Sequence, residues 1–270
     1  MTKPKNSELP IGVFDSGIGG LTVLKELVKT LPHESYLYFG DTARLPYGNK
    51  NGETIIRYSI ENSIFLLNKN IKVLVVACNT ASAYALERLQ QIFNIPIVGV
   101  IEPGVERALQ VTTQGKIAVL GTRGLIDSQS YQKAFLQKAS DIFVLPIACP
   151  LLAPLVEEHY IDHPATRLII RDYLKTVKEY QIDTLLLGCT HYPLLKDVIR
   201  EELGEDIHIV DSAITCAEKV SETITQRGLH QTPGELPKHH YFVSDDPVKF
   251  QKLGCSLVQL EIDHVELVKI

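Results

Sequence analysis

Two segments of the chain share one pattern, in which a run of aliphatic residues ends at a cysteine and small polar residues follow. The first runs from Val73 to Cys78 (VLVVAC) and the second from Thr184 to Cys189 (TLLLGC). An unbroken aliphatic run is typical of a parallel strand that is buried on both faces. Each cysteine is therefore expected at the carboxyl end of a strand, where open α/β sheets bind their ligands.

The order of elements around these segments occurs twice along the chain. Residues 11–17, 35–41, 73–78 and 95–100 are matched, at an offset of a little over one hundred residues, by residues 116–124, 142–146, 184–189 and 206–212. Chance similarity among apolar strands is the alternative, but it does not account for the shared order. The repeat predicts an α/β fold with two pseudo-symmetric lobes, each a mostly parallel sheet flanked by helices, and an active site in the cleft between them.

The C-terminal part of the chain exceeds the second copy and is expected to return to the first lobe. It comprises a polar linker at 228–237, a strand at 240–244, a helix near 247–253 and an apolar stretch at 257–261. We therefore expect lobe one to span residues 1–103 plus 213–270 and lobe two residues 104–212. Earlier in the chain, residues 53–69 predict an amphipathic helix whose apolar face carries Ile56, Ile60, Ile64 and Leu67.

The composition is that of an ordinary globular protein, with 45% hydrophobic and 22% charged residues among 270. The net charge of −5, without any basic run, gives no reason to expect nucleic acid as a partner. No apolar stretch approaches the roughly 18 residues of a membrane span. The polar residues 1–8 lack the apolar region of a signal peptide. We therefore expect a cytoplasmic protein that acts on a small molecule, away from membranes.

Five cysteines without a CxxC pair argue against a disulfide framework and against structural zinc. Cys149, Cys216 and Cys255 do not follow the strand-to-helix pattern, and we expect them to be small buried hydrophobic residues. Cys189-x-His191 without further clustered ligands is a poor indication of a metal. Gly17-Ile-Gly19 would need glycine at position 22 for a dinucleotide fingerprint, and Thr22 stands there. We expect neither a metal nor a cofactor.

Two cysteines at strand ends suggest acid/base chemistry on both sides of one carbon. A thiol at a helix amino terminus meets free backbone amides and the positive end of the dipole, which lower its pKa and favour thiolate. If Cys78 and Cys189 face each other, one can remove a proton as thiolate while the other delivers one as thiol. Thiols suit this two-base inversion because their reference pKa of about 8.5 lies near the working pH.

Three further residues could assist the proton transfers. Asp15 ends the first strand, and it could relay a proton, orient a substrate ammonium group or simply cap a turn. His191 could stabilise the Cys189 thiolate or pass on its proton, or it could only satisfy local backbone groups. Glu157 could act as a second relay near His191, or it could be a solvated helix carboxylate.

A second group of residues could hold carboxylate groups of a ligand, because hydroxyls and free amides gather at helix amino termini. They are Asn79, Thr80, Thr122 and Thr190. As ordinary helix caps, these residues would need no ligand.

Several motifs together resemble the glutamate racemase family of the aspartate/glutamate racemase superfamily, over residues 11 to 215. They are Asp15-Ser16-Gly17-x-Gly19-Gly20, Gly40-Asp41 with Pro46-Tyr47-Gly48, Ala77-Cys78-Asn79-Thr80-Ala81, Gly188-Cys189-Thr190-His191-Tyr192-Pro193 and Val210-Asp211-Ser212-Ala213. The resemblance implies a cofactor-independent homodimer that interconverts L- and D-glutamate and supplies D-glutamate for peptidoglycan. Cys78 and Cys189 would be the two acid/base catalysts. Asp15, His191 and Glu157 would be auxiliary acid/base groups, and substrate would be bound by Asp15, Ser16, Pro46, Tyr47, Gly48, Asn79, Thr80, Thr122, Thr190 and His191.

Other functions remain open at this point. A racemase of aspartate or of another small acidic amino acid would use the same inversion chemistry. A hydrolase with Cys189 as nucleophile and His191 as base would not need Cys78. A two-lobed binding protein for small acids would need neither thiol to react.

Overall fold

The strands form two sheets in which every described pairing is parallel. The structure is a computed structural model that describes residues 6–231 and 236–270. Within those residues the strands are β1 (Ile11–Asp15), β2 (Tyr36–Gly40), β3 (Val73–Val76), β4 (Ile97–Gly99), β5 (Lys116–Gly121), β6 (Phe143–Ala148), β7 (Thr184–Gly188), β8 (His208–Asp211), β9 (His239–Val243) and β10 (Val265–Leu267). One sheet has the order β10-β9-β2-β1-β3-β4 and the other β6-β5-β7-β8.

Helices connect successive parallel strands and cover both faces of the sheets. In the described residues they are α1 (Leu21–Thr30), α2 (Gly52–Leu67), α3 (Asn79–Ile92), α4 (Ile101–Val111), α5 (Arg123–Ser128), α6 (Ser130–Lys138), α7 (Leu152–Glu157), α8 (Pro164–Tyr173), α9 (Lys175–Glu179), α10 (Lys196–Leu203), α11 (Ser212–Arg227) and α12 (Pro247–Leu253). The order β2-β1-β3-β4 in one sheet equals β6-β5-β7-β8 in the other. This confirms the predicted α/β fold with two pseudo-symmetric lobes, which we name after the six-stranded sheet (lobe one) and the four-stranded sheet (lobe two).

The two lobes share part of their hydrophobic core. One buried cluster contains Val75 of β3, Leu186 of β7, and side chains of α4 and α11 such as Val105 and Val220. Two further clusters lie on the outer faces of the two sheets. Since α4 and α11 contribute to the shared cluster, the lobe boundaries near residues 103 and 213 stay a prediction.

The helix expected at 53–69 is present as α2, and three residues of its predicted apolar face, Ile56, Ile60 and Leu67, pack partly buried against the core, but the fourth was wrong. Ile64 is 45% exposed, and the buried positions are Ile55, Ser59, Asn62, Ser63 and Leu66. The reason is a buried polar contact, since Asn62 donates a hydrogen bond to the Tyr47 hydroxyl at 3.0 Å and accepts one from Arg44 at 2.8 Å. These bonds turn the polar side of the helix towards the protein.

The C-terminal segment joins lobe one through β9 and β10, next to β2. The apolar stretch at 257–261 is not a strand, because residues Gly254–Val258 form a turn of π-helix after α12 and the strand follows only at Val265–Leu267. The π turn carries the buried Val258 into the core. Part of the predicted linker, residues 232–235, and the N-terminal residues 1–5 lie outside the described residues. No helix in the described part of the chain is long and apolar enough to cross a membrane.

Candidate active site

Both cysteines of the repeated pattern line one pocket. It lies at the carboxyl ends of β1, β3, β5 and β7 and encloses a cavity of about 190 Å³. Its lining residues are Ser16, Gly17, Leu45, Pro46, Tyr47, Gly48, Cys78, Asn79, Thr80, Thr122, Ala153, Pro154, Glu157, Gly188, Cys189, Thr190 and His191. Cys78 follows a strand of lobe one and Cys189 a strand of lobe two, so the pocket is built from both lobes.

Cys78 caps the amino terminus of α3. Its sulfur accepts a hydrogen bond from the Ala81 amide at 3.4 Å, and its thiol can donate one to the Ser16 hydroxyl at 3.8 Å. Burial, and secondly the charge of Asp15, raise the pKa of Cys78 to about 12. The sequence predicted a lowered pKa at this position, and that prediction was wrong, because the Ala81 amide does not offset the loss of water around the thiol.

Cys189 lies beside a buried imidazole that is paired with a carboxylate. His191 Nδ1 is 3.7 Å from the Cys189 sulfur, and His191 Nε2 is 2.9 Å from Glu157 Oε1. Burial alone would lower the pKa of His191, but its hydrogen bonds with Cys189 and Glu157 outweigh burial and raise that pKa to about 10. Burial alone would raise the pKa of Glu157, but its hydrogen bond to His191 outweighs burial and lowers that pKa. These opposite shifts favour the charged form of both groups.

Asp15 lies beneath the pocket and does not line it. Its side chain is fully buried, and Oδ2 accepts a hydrogen bond from the Gly17 amide at 2.9 Å. Among the described residues, Oδ1 has no hydrogen-bond partner. Burial raises the pKa of Asp15. Of the sequence-predicted site residues, this is the one that the structure places outside the pocket wall.

Hydroxyl and amide groups of the two lobes meet along another part of the wall. The hydroxyls of Thr80 and Thr122 are 2.9 Å apart, and Thr122 also caps α5 by accepting from the Leu125 amide. Asn79 Oδ1 accepts a hydrogen bond from the Tyr131 hydroxyl at 2.8 Å. This region presents the donors that a carboxylate requires.

The loop before α2 closes a third side of the pocket. Tyr47 lines the pocket, but its hydroxyl donates to Asp41 and accepts from Asn62, so this hydroxyl is already engaged. A Cβ atom on Gly48 would lie 2.6 Å from Cβ of Thr122, so only glycine allows this approach. The loop and the start of α5 are therefore packed against each other at the pocket.

Reasoning from the sequence missed five of the lining residues, none of which has a polar side chain. These are Gly17, Leu45, Ala153, Pro154 and Gly188. Leu45 and Gly188 directly precede predicted site residues, and Pro154 stands three positions before Glu157 on α7, the spacing of one helix face. Gly17 and Gly188 stand inside the quoted motifs, and neighbourhood to a predicted site residue was the indication available for the others.

Comparison with known proteins identifies the family. The model of the Asp/Glu/Hydantoin racemase family matches residues 13–220. A glutamate racemase of Geobacter metallireducens is 53% identical over 244 residues, which cover 90% of each chain. The chain belongs to the glutamate racemase family. It is therefore an isomerase.

Solved structures of the family agree with this fold. A glutamate racemase isoform of Bacillus anthracis superimposes with a TM-score of 0.94 at 40% identity and covers 98% of each chain. The Francisella tularensis glutamate racemase, solved in complex with D-glutamate, gives a TM-score of 0.91 at 35% identity and covers 97% of this chain and 98% of its own. Both lobes are thus common to the family.

Proposed function

We propose that this isomerase interconverts L- and D-glutamate without a cofactor by moving protons between Cys78, Cys189 and the α-carbon. The observation that carries the proposal is that two thiols, one from the equivalent strand end of each lobe, line one small pocket. Glutamate as substrate is supported by the names of the relatives and by the D-glutamate bound to the Francisella enzyme.

The reaction consists of two proton transfers. The thiolate of one cysteine takes the α-proton and becomes a thiol, which leaves an electron pair on the α-carbon. The thiol of the other cysteine gives its proton to the opposite face of that carbon and becomes a thiolate. One C–H bond breaks, another forms with inverted configuration, and the enzyme ends with the proton on the other sulfur.

The environments of the two cysteines support different starting roles. A pKa raised to about 12 keeps the proton on Cys78 in the free enzyme, so Cys78 starts as the acid. Cys189 then starts as the base, and the charged His191 can donate a hydrogen bond to its sulfur whenever that sulfur is negative. The charge of the buried Asp15 acts on Cys78, and we propose that Asp15 accepts or relays a proton on that side.

The pocket must also lower the barrier to forming a carbanion, because an α-proton is far less acidic than a thiol. Donors fixed before the reaction stabilise developing negative charge better than water, which has to reorient. Thr80, Thr122 and Thr190 provide hydroxyls on the pocket wall, and Ser16 a further one. We propose that these hydroxyls and the amides at the start of α3 hold the substrate carboxylates.

The decisive experiment follows the circular dichroism of L-glutamate and, separately, of L-aspartate during incubation with dialysed protein in deuterated water. We expect loss of the glutamate signal and deuterium at the α-carbon. Cys78→Ala and Cys189→Ala should each abolish racemisation, whereas Cys255→Ala, outside the pocket, should not. Full activity without Cys78 would favour a single-cysteine mechanism, and racemisation without solvent exchange would refute the two-base mechanism. Faster loss of the aspartate signal than of the glutamate signal would show that aspartate, and not glutamate, is the preferred substrate.

We further propose that the protein is a homodimer and that its D-glutamate serves peptidoglycan synthesis, as the family resemblance implies. Light scattering after size-exclusion chromatography tests the first point, and a monomeric mass would refute it. Complementation of a bacterium that requires D-glutamate tests the second. Failure of the active enzyme to restore growth without added D-glutamate would refute it.

A further inference from the structure

The segment that follows Cys78 is held by hydrogen bonds from lobe two. Asn79 directly follows Cys78 as the first residue of α3, and its Oδ1 accepts from the Tyr131 hydroxyl of α6 at 2.8 Å. Both side chains are buried, at 2% and 1% exposure. One helix turn further along α3, the Ala83 carbonyl accepts from the Ser130 hydroxyl at 3.2 Å. The start of α3 is therefore fastened to a helix of the other lobe.

The segment that follows Cys189 is held in the same way from lobe one. The buried Thr22 hydroxyl of α1 lies 2.8 Å from the Thr190 carbonyl oxygen and 2.9 Å from that of Gly19. The Gly19 carbonyl already accepts from the Thr22 amide at 3.0 Å. Gly19 itself packs so closely against Thr190 and His191 that a side chain at this position would clash with both. The hydroxyl of Thr22 thus links α1 to the residue between Cys189 and His191.

We propose that Tyr131 and Thr22 are positioning residues for the two thiols, Tyr131 for Cys78 and Thr22 for Cys189, each acting from the opposite lobe. This inference rests on the proposed two-base mechanism. Proton transfer needs each sulfur at a fixed distance and angle from the α-carbon, and a misplacement of about 1 Å can cost roughly a hundredfold in rate. Because each of these hydrogen bonds joins one lobe to the other, each thiol is held in position only when the two lobes are in contact.

Rates alone cannot tell which thiol a variant has affected. The two enantiomers of a substrate have equal free energy in water, so kcat/KM must be equal in both directions for every variant. Deuterium isotope effects do distinguish the two thiols. Each cysteine deprotonates one enantiomer. If a variant slows proton transfer at one cysteine, C–H bond breaking limits the reaction of that enantiomer more strongly. The isotope effect on kcat/KM then rises for this enantiomer and falls for the other.

The experiment compares Tyr131→Phe with Thr22→Val, using L- and D-glutamate labelled with deuterium at the α-carbon. Each variant loses one buried hydrogen bond, and we expect kcat/KM to fall about three- to tenfold. We expect the isotope effect to rise with one enantiomer in Tyr131→Phe and with the opposite enantiomer in Thr22→Val. Thr22→Ser keeps the hydroxyl and should restore the wild-type pattern. Tyr36→Phe is the matched control, because it removes a buried hydroxyl that bonds to the Leu27 carbonyl.

Urea titrations of all variants separate folding from positioning. Isotope effects unchanged from the wild type for both enantiomers in either folded variant would overturn the proposal, as would the Tyr131→Phe pattern in Tyr36→Phe. If Tyr131→Phe fails to fold, Thr22→Val and its serine rescue still decide the matter. If the wild-type enzyme racemises with solvent exchange but the variants keep its isotope effects, only the positioning is refuted. A wild-type enzyme without racemisation refutes the proposed function instead.

Discussion

Replacing Glu157 with glutamine should move the alkaline limb of the pH–activity profile to lower pH. The change keeps the shape of the side chain and removes a negative charge 2.9 Å from the His191 ring. The side chains of His191 and Glu157 are only 8% and 22% exposed, so water screens the pair weakly. The free-energy cost of burying the positive charge of His191 would then no longer be offset by Glu157.

The size of the shift follows from the pairing. A neighbouring opposite charge moves a pKa by about 1 to 3 units, so the pKa of His191 should fall from about 10 to between roughly 7 and 9. At about 1.4 kcal/mol per unit, the charged imidazole loses roughly 1.4 to 4 kcal/mol of stabilisation. A raised pKa stabilises the folded protein fully below the ordinary pKa of 6.5, and this stabilisation disappears as the pH rises through about 10. In the variant it should disappear at lower pH.

The assay is kcat/KM for racemisation across the neutral and alkaline range, combined with NMR titration of the His191 ring protons. The substrate ammonium group titrates alike in every variant and cancels in the comparison. Glu158→Gln is the matched control, because Glu158 is 70% exposed on its side chain and lies 3.8 Å from Lys249. An alkaline limb unchanged in Glu157→Gln, or moved equally in Glu158→Gln, would refute the role assigned to the His191–Glu157 pair.

Three further predictions concern stability, the pocket and the thiols. Lys72→Met should lower the free energy of unfolding in urea by about 3 to 5 kcal/mol, because it leaves the buried Glu34 unpaired; a loss below about 1 kcal/mol would contradict this. Gly48→Ala should raise KM, because the new Cβ would lie 2.6 Å from Cβ of Thr122 at the pocket wall; an unchanged KM in steady-state assays would contradict this. Titration with a thiol reagent should find one fast cysteine, absent in Cys255→Ser, because Cys255 is exposed and the other four are buried; several fast thiols would contradict this.

The fold could be predicted from the sequence because its main determinants are local and repeated. Apolar runs such as 73–76 and 184–187 identify strands buried on both faces, and the cysteines that follow them mark the pocket edge. The order of these elements, repeated once, was enough to predict two similar sheets. The family resemblance added the polar residues of the pocket wall.

Contacts between distant segments could not be predicted in this way. Tyr131 and Asn79 are 52 residues apart, and Thr22 and Thr190 are 168 apart, so neither pair leaves a pattern in the sequence. The exposure of Ile64 and the burial of Asn62 on α2 were not predicted, because the network around Asp41 and Tyr47 that Asn62 joins is polar. Cys255 was expected to be buried and is exposed, since it projects from the π turn after α12.

The two cysteines are chemically unequal although a repeat relates the strands that carry them. Burial raises the pKa of Cys78 to about 12, whereas Cys189 faces an imidazole with a pKa of about 10. If the cysteines exchange one proton through the substrate, each turnover leaves the free enzyme in the protonation form that it did not start from. A pKa of about 12 favours a protonated Cys78, so the form that leaves Cys78 as thiolate has to regain a proton at that sulfur after its product leaves. We propose that Asp15, whose charge acts on Cys78, takes part in this return and that the His191–Glu157 pair does so on the side of Cys189, a function that the inversion step alone does not require.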